Sequence, residues 1–275
     1  MNQAIFSNAR PSKLLMIGIA LVVSLSIDFL ISNSSSVLLL PIESQTTGKL
    51  NEAKVFFDRG LSKNVDNYGA IADFTEAIRL NPNYSEAYLM RGTRKAVLKD
   101  NYGAISDYTE AIRINPKYGD AYHKRGFSKY TLGDNYGAIS DYTEAIRVKP
   151  NHLFIVSSYF DRGNAKSELG DYYGAITDLD EAIRLNPKLF KAYLNRGNTK
   201  AKMGDAYGSI SDYTEAIRVY PEYADAYFYR GSMKFSLSDK EGAINDYTKA
   251  AELYDQQGET KKLQILLQKL RKSKW

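Results

Sequence analysis

Two histidines, no cysteine and a recurring set of charged side chains make up the reactive chemistry of this 275-residue sequence. His123 and His152 fall on different elements. Without thiolates or a His pair at i, i+4 there is no zinc pattern, and disulfides are excluded while the redox compartment stays undecided. The glycines lack phosphate-loop spacing and follow no strand. What does recur is charge: Arg59 and Lys63, Arg91 and Lys95, Arg125 and Lys129, Arg162 and Lys166, Arg196 and Lys200, Arg230 and Lys234. An Asp follows each pair: Asp73, Asp107, Asp141, Asp178, Asp212 and Asp246. Two cations and one carboxylate can either bind anions as a basic ladder or tie two helices together as ion pairs. A fixed acidic partner for every cation pair favours ion pairing, with Arg stems laid over neighbouring rings. No catalytic constellation remains, so the chain is expected not to be an enzyme and to need no cofactor or metal.

These side chains must be held by a repeated element. The phrase is clearest as Ala87-Tyr88-Leu89-Met90-Arg91-Gly92, then Asn101-Tyr102-Gly103-Ala104-Ile105-Ser106-Asp107-Tyr108-Thr109-Glu110-Ala111-Ile112-Arg113, then Asn115-Pro116. Its Arg-Gly marker places Gly60, Gly92, Gly126, Gly163, Gly197 and Gly231 at intervals of 32, 34, 37, 34 and 34 residues. A period of this size means stacked supersecondary units, none able to bury its own apolar face. Each copy reads as two antiparallel helices. Helix A, about Glu86 to Leu98, carries Tyr88, Gly92 and Lys95 on one face. Helix B follows Asp100, whose carboxylate caps its first turn, as Asp66, Asp134, Asp171, Asp205 and Asp239 do elsewhere. It carries Ala104, Tyr108 and Ala111 on one stripe and stops before Pro116. Pairs such as Glu110 and Arg113 are solvated surface.

The aromatic-x-x-x-Gly of helix A, the Ala-x-x-x-aromatic-x-x-Ala of helix B and the closing Pro resemble the tetratricopeptide repeat family. The resemblance covers about three-quarters of the chain. It implies an all-α fold: a right-handed superhelical solenoid of antiparallel helix hairpins, its concave face lined mainly by A helices. Near-identical copies and the Asn-Tyr-Gly-Ala-Ile phrase are similar to bacterial, notably cyanobacterial, repeat proteins. The family usually has an apolar residue before the helix-A Gly and often an aromatic three residues after it, where Arg and Lys stand here. The expected division is an N-terminal apolar segment at 1–31, a linker at 32–47, and six repeats at 48–255 (about 48–82, 83–116, 117–150, 151–187, 188–221 and 222–255). A C-terminal capping helix follows at 256–275, with Leu263, Leu266, Leu267 and Leu270 inward. The three extra residues before the fourth copy, within Asn151 to Ser158, extend or reposition its helix A. That copy also has Leu179 where the others have Tyr or Phe.

Composition shifts at the N-terminus, where Arg10 and Lys13 precede an apolar run from Leu14 to Ile31 broken by Asp28. Leu14 to Ile27 has the length of a signal-peptide core, and continuing to Ile31 reaches the short limit of a spanning helix. A membrane anchor and a cleaved signal are both open, and a buried helix is the third reading. With no cation from Leu14 through Thr47, either leading option places the repeats outside the cytoplasm, anchored or periplasmic. The formal charge of +5, from 37 basic and 32 acidic residues spread along the chain, is no nucleic-acid footprint.

Binding is the remaining function. Projected away from the packing stripe of each A helix, the candidate groove residues are Phe57, Leu89, Met90, His123, Phe127, Tyr130, Phe160, Asn164, Asn195, Asn198, Phe228 and Tyr229, with Leu61, Thr93, Leu194 and Phe235 beside them. So aromatic a surface suits an apolar peptide or partner helix. Some family members clamp a C-terminal carboxylate with Lys, Asn, Asn, Lys and Arg. Asn164 and Asn195 match the two Asn of that pattern, but Phe160, Asp225 and Tyr229 occupy cationic places, which argues against that clamp. The reading is a non-enzymatic protein-interaction scaffold whose partner is a protein or peptide, with the membrane as a further partner through residues 14–31 if uncleaved. Nucleic acid and small-molecule substrates are not expected. The alternative is an assembly or maturation factor for a membrane protein complex.

Overall fold

The computed structural model describes residues 46–148 and 152–272, which form thirteen helices and no strand. In chain order they are α1 (46–62), α2 (Asn67–Leu80), α3 (Ser85–Val97), α4 (Asn101–Ile114), α5 (Gly119–Thr131), α6 (Asn135–Arg147), α7 (His152–Glu168), α8 (Tyr172–Leu185), α9 (Phe190–Lys202), α10 (Ala206–Val219), α11 (Ala224–Ser236), α12 (Lys240–Gln256) and α13 (Thr260–Lys272). Odd-numbered helices through α11 are A helices and even-numbered ones B helices. Consecutive helices pack antiparallel in a superhelical solenoid, so every contact is local along the chain. The apolar run from Leu14 to Ile31 and linker residues 32–45 lie outside the described residues, while 46 and 47, expected in the linker, already belong to α1. No described helix is long and apolar enough to cross a membrane.

Each B helix starts where an Asp carboxylate accepts the backbone N–H of the Gly three residues on, at 2.8–3.0 Å, as Asp100 does from Gly103. Such a cap stabilises a helix by about 1 kcal/mol. From the second copy to the sixth, the residue before the Asp turns the chain through the left-handed region. Gly133, Gly170 and Gly204 do so at φ of 82 to 85°, but Lys99 and Ser238 are forced to 64 and 65°.

Packing follows the small residues. Ala104, Ala111 and their counterparts are wholly buried, and the largest buried side chains are the B-helix residues Phe74, Tyr108, Tyr142, Leu179, Tyr213 and Tyr247. A Cβ on Gly92 would stand 2.8 Å from the Tyr108 ring, so the close approach of α3 to α4 requires glycine. The insertion before the fourth copy lengthens α7 to 17 residues, against 13 in α5 and α9. Its added turn buries Val156 and sets Phe154 edge-on to His123 at 5.7 Å. At the C-terminus, Leu266 of α13 is wholly buried against Leu253 and Tyr254, flanked by Leu263 and Leu270. Leu267, expected inward, is 39% exposed. It lies a third of a turn from Leu266, beyond the strip one flanking helix can cover.

Candidate functional site

The recurring charges form one structure repeated along the stack. In each copy the Asp of helix B is 2–4% exposed. It accepts from the Arg Nη2 of helix A at 2.5–2.7 Å and forms an ion pair with the Lys Nζ one turn later at 2.7–3.1 Å. Arg Nε supplies a further bond, from Arg91 to Asp107 at 3.0 Å for example. Every Arg guanidinium lies 4.7–5.7 Å from the centre of the aromatic ring three residues before it. The Arg also reaches the preceding copy: Nη1 of Arg91, Arg125, Arg162 and Arg230 donates to Thr75, Thr109, Thr143 and Thr214 at 3.0–3.2 Å. Arg196 meets Asp180 in that place, so it is held by two carboxylates. The ladder therefore binds copy to copy as well as helix to helix. Its cations are consumed internally, which removes them as an anion site.

A second repeated contact shapes the concave face. The B-helix Tyr hydroxyl donates to the residue after the helix-A Gly: Tyr108 to Thr93 at 3.5 Å, Tyr213 to Asn198 at 2.8 Å, and Tyr247 to Ser232 at 3.1 Å. Two middle copies break this pairing. Phe127 stands where the third copy needs an acceptor, and the buried Tyr142 hydroxyl finds no hydrogen-bond partner among the described residues. Leu179 replaces the Tyr of the fourth copy, and Asn164, released from that role, accepts from Asn195 Nδ2 at 2.8 Å.

Where the pairing breaks, two cavities open. One, of about 500 Å³, spans α5 to α11 and is lined by Tyr130, Asn164, Asn195, Asn198, Lys202 and Tyr229, among others. The other, about 400 Å³ and mostly apolar, lies across α3, α5 and α7 between Val97, His123, Lys124, Phe127, Phe154 and Asp161. His123 Nε2 is 3.0 Å from Asp161 Oδ2. Burial lowers the pKa of the Lys124 ammonium, partly offset by Asp120, and raises that of the Asp120 carboxyl. Burial likewise raises Tyr130.

Of the residues predicted for the groove, Tyr130, Asn164, Asn195, Asn198 and Tyr229 come together in the first cavity, and His123 and Phe127 in the second. Leu89 is a correction: at 5% exposure it belongs to the core with Ala104, Tyr108 and Ala121. Leu194 is buried in the same way. Phe57 packs on Phe74 and Tyr84 and Phe228 on Tyr247, while Phe160 rests against the core of Leu179 and Ala182 and lines a further cavity of about 510 Å³ with Val156, Asp161 and Leu189. Met90 is half-buried and lines neither cavity. Lys124, Asp161 and Lys202 were missed, although Lys124 and Asp161 share the repeat position of Asn195 and Tyr229, two residues before the Gly. Among the described residues no group of His, Asp or Glu is arranged to hold a metal ion.

Models of the tetratricopeptide repeat match residues 119–152 and 194–258, and a TPR repeat model matches 163–204. Among solved structures, the chain is similar to PilW, a widely conserved type IV pilus biogenesis factor, at 17% identity and a TM-score of 0.68, covering 78% of this chain and 98% of that one. It is similar to MamA at 23% identity and a TM-score of 0.57, covering 61% and 96%. It also resembles YrrB, described as a TPR protein with an unusual peptide-binding site, at 20% identity and 0.55, covering 66% and 91%. At these identities the likeness is one of fold. Comparison with curated proteins finds no match.

Proposed function

We propose that this tetratricopeptide repeat protein is a non-enzymatic scaffold that captures a segment of a partner protein on its concave face. The observation that carries the reading is the cavity of about 500 Å³ across α5 to α11, built from residues that differ between copies, whereas the repeated residues are consumed in the stack. Asn164 and Asn195 satisfy each other through one bond and retain further amide donors and acceptors. Such groups suit the polar main chain of an extended segment, while Tyr130 and Tyr229 supply ring area for its side chains. The cavity is already formed, so binding costs the scaffold little ordering entropy. In the proposed setting residues 14–31 anchor the repeats to a membrane or export them.

A photo-crosslinking amino acid placed at Tyr130 or Tyr229 is expected to trap partner protein. Placed at Arg113, on the exposed face of α4, it is expected to trap none. Crosslinks arising only from Arg113 would overturn the reading. The same sample yields the mass of the mature N-terminus, which separates an anchor beginning at Met1 from a cleaved signal.

A further inference from the structure

The recurring Arg, Lys, Asp, Gly and Ala of the repeat, and the Tyr of mid-helix B, are explained by contacts within the stack, but a second recurring Tyr is not. Tyr68, Tyr102, Tyr136, Tyr173 and Tyr207 occupy the second position of α2, α4, α6, α8 and α10, and each is 75–79% exposed. Rings so open to water add little to the core. The residue before them varies from Asn67, Asn101 and Asn135 to Tyr172 and Ala206, yet the Tyr persists from the first copy through the fifth. In the sixth, Glu241 takes the place and ends the row. The connections along the same edge add exposed Val65, Leu132 and Leu169.

We propose that this tyrosine edge is the interface with a second copy of the same chain, paired antiparallel about a two-fold axis at Tyr136. Area and symmetry support this occupant. Five tyrosines of about 200 Å² each, three-quarters exposed, offer on the order of 700 Å² per copy, close to the roughly 800 Å² a standard interface takes from each partner. A two-fold contact must be self-complementary. A row of five is so about its third member: Tyr68 meets Tyr207, Tyr102 meets Tyr173, and Tyr136 meets itself. Phenol rings pair with one another edge to face, and their hydroxyls both donate and accept. The capping carboxylates Asp66, Asp100, Asp134, Asp171 and Asp205 flank the row in both copies, with Lys99 the one cation among the residues immediately before them, so the pairing is expected to tighten with added salt.

The absence of cysteine permits a direct test in the full chain in mild detergent. Tyr136→Cys alone, treated with a short bismaleimide, is expected to give a covalent dimer. Tyr102→Cys and Tyr173→Cys are expected to crosslink when mixed and poorly when alone, and Arg113→Cys, toward the other edge, not at all. The variant Tyr102→Gln/Tyr136→Gln/Tyr173→Gln, with helix content unchanged by circular dichroism, is expected to dissociate at least tenfold more readily in sedimentation. A chain that stays monomeric with Tyr136→Cys uncrosslinked overturns the proposal. Equal crosslinking from Arg113→Cys overturns it too, as does a monomeric Tyr136→Cys variant whose new thiol is shielded from maleimide only by lipid vesicles.

Discussion

Replacing Asp107 by Asn tests whether the ion-pair ladder holds the stack together. The side chain keeps its volume, loses its charge and can no longer answer three cationic bonds: Arg91 Nε at 3.0 Å, Arg91 Nη2 at 2.6 Å and Lys95 Nζ at 2.8 Å. Removing one member of a fully buried pair costs about 3–5 kcal/mol. Arg91 and Lys95 are 17% and 24% exposed and so recover some hydration, while Arg91 keeps its contacts with Thr75 and the Tyr88 ring. The expected loss is therefore about 2–4 kcal/mol. Asp141→Asn, in the same surroundings, should match it. Asp73→Asn should cost only about 1 kcal/mol, because Arg59, in the first described hairpin, is 55% exposed.

The assay is urea denaturation followed by circular dichroism, read with hydrogen exchange across α3 to α6. In a stack coupled only to nearest neighbours, protection should fall beside Asp107 and hold in α9 to α12. Replacing all three members, as Arg91→Met, Lys95→Met and Asp107→Leu, should recover most of the loss, since the desolvation cost goes with the charges. If Asp107→Asn and Asp141→Asn unfold within about 0.5 kcal/mol of the parent, or Asp73→Asn costs as much as they do, the ladder does not do what the geometry implies.

Three other outcomes follow from the same contacts. Lys99→Gly and Ser238→Gly should each stabilise by about 0.5–1 kcal/mol, because glycine removes the left-handed strain at φ of 64 and 65° at some entropic cost; denaturation midpoints measure this. The Asp73 carboxyl is held below the usual carboxylate range by its hydrogen bond from Arg59, against the opposing effect of burial. Its contribution is thus present above the ordinary carboxylate pKa and lost as pH falls through the lower folded value, so the gap between parent and Asp73→Asn should close on acidification below about pH 4. Leu179→Tyr should restore the B-helix hydroxyl contact to Asn164 and compete with Asn195, changing stability by no more than about 1 kcal/mol while exposing the Asn195 amide, seen as faster solvent exchange by NMR.

The fold was legible because each repeated residue does one local job that spacing reveals. An Asp before a helix start caps it, a Gly facing an aromatic lets two helices close, and an Asp opposite Arg and Lys joins them. The groove was only partly legible, and Leu89 shows why. Phe57, Leu89, His123, Phe160, Leu194 and Phe228 share the position three before the Gly, at the margin between the groove and the next hairpin. Whether that margin is covered depends on how the following hairpin is rotated, a property of two copies packed together that the pattern within one copy does not contain. Leu89 is rolled into the core beside Ala121, while His123 keeps an edge on a cavity beside the lengthened α7. The Tyr102 row was invisible for a related reason, since a recurring aromatic reads as packing until its exposure is seen.

The exceptions to the repeat are coupled to one another through the stack. Changing Tyr to Leu at position 179 costs the fourth copy its hydroxyl contact, and that same change leaves Asn164 available to Asn195 across two A helices. Next to it, Asp180 stands where other copies place Thr, and it gives Arg196 a second carboxylate. The seam between the fourth and fifth copies thereby gains an ion pair while its concave side gains unsatisfied amide capacity. A cavity lined by polar side chains tends to collapse or fill unless its walls are held apart, and Arg196 locked between Asp180 and Asp212 braces the helices that carry Asn195 and Asn198. Departures on the B-helix side thus support departures on the A-helix side. This is why a polar opening of about 500 Å³ sits at this seam and why its partner should be sought there.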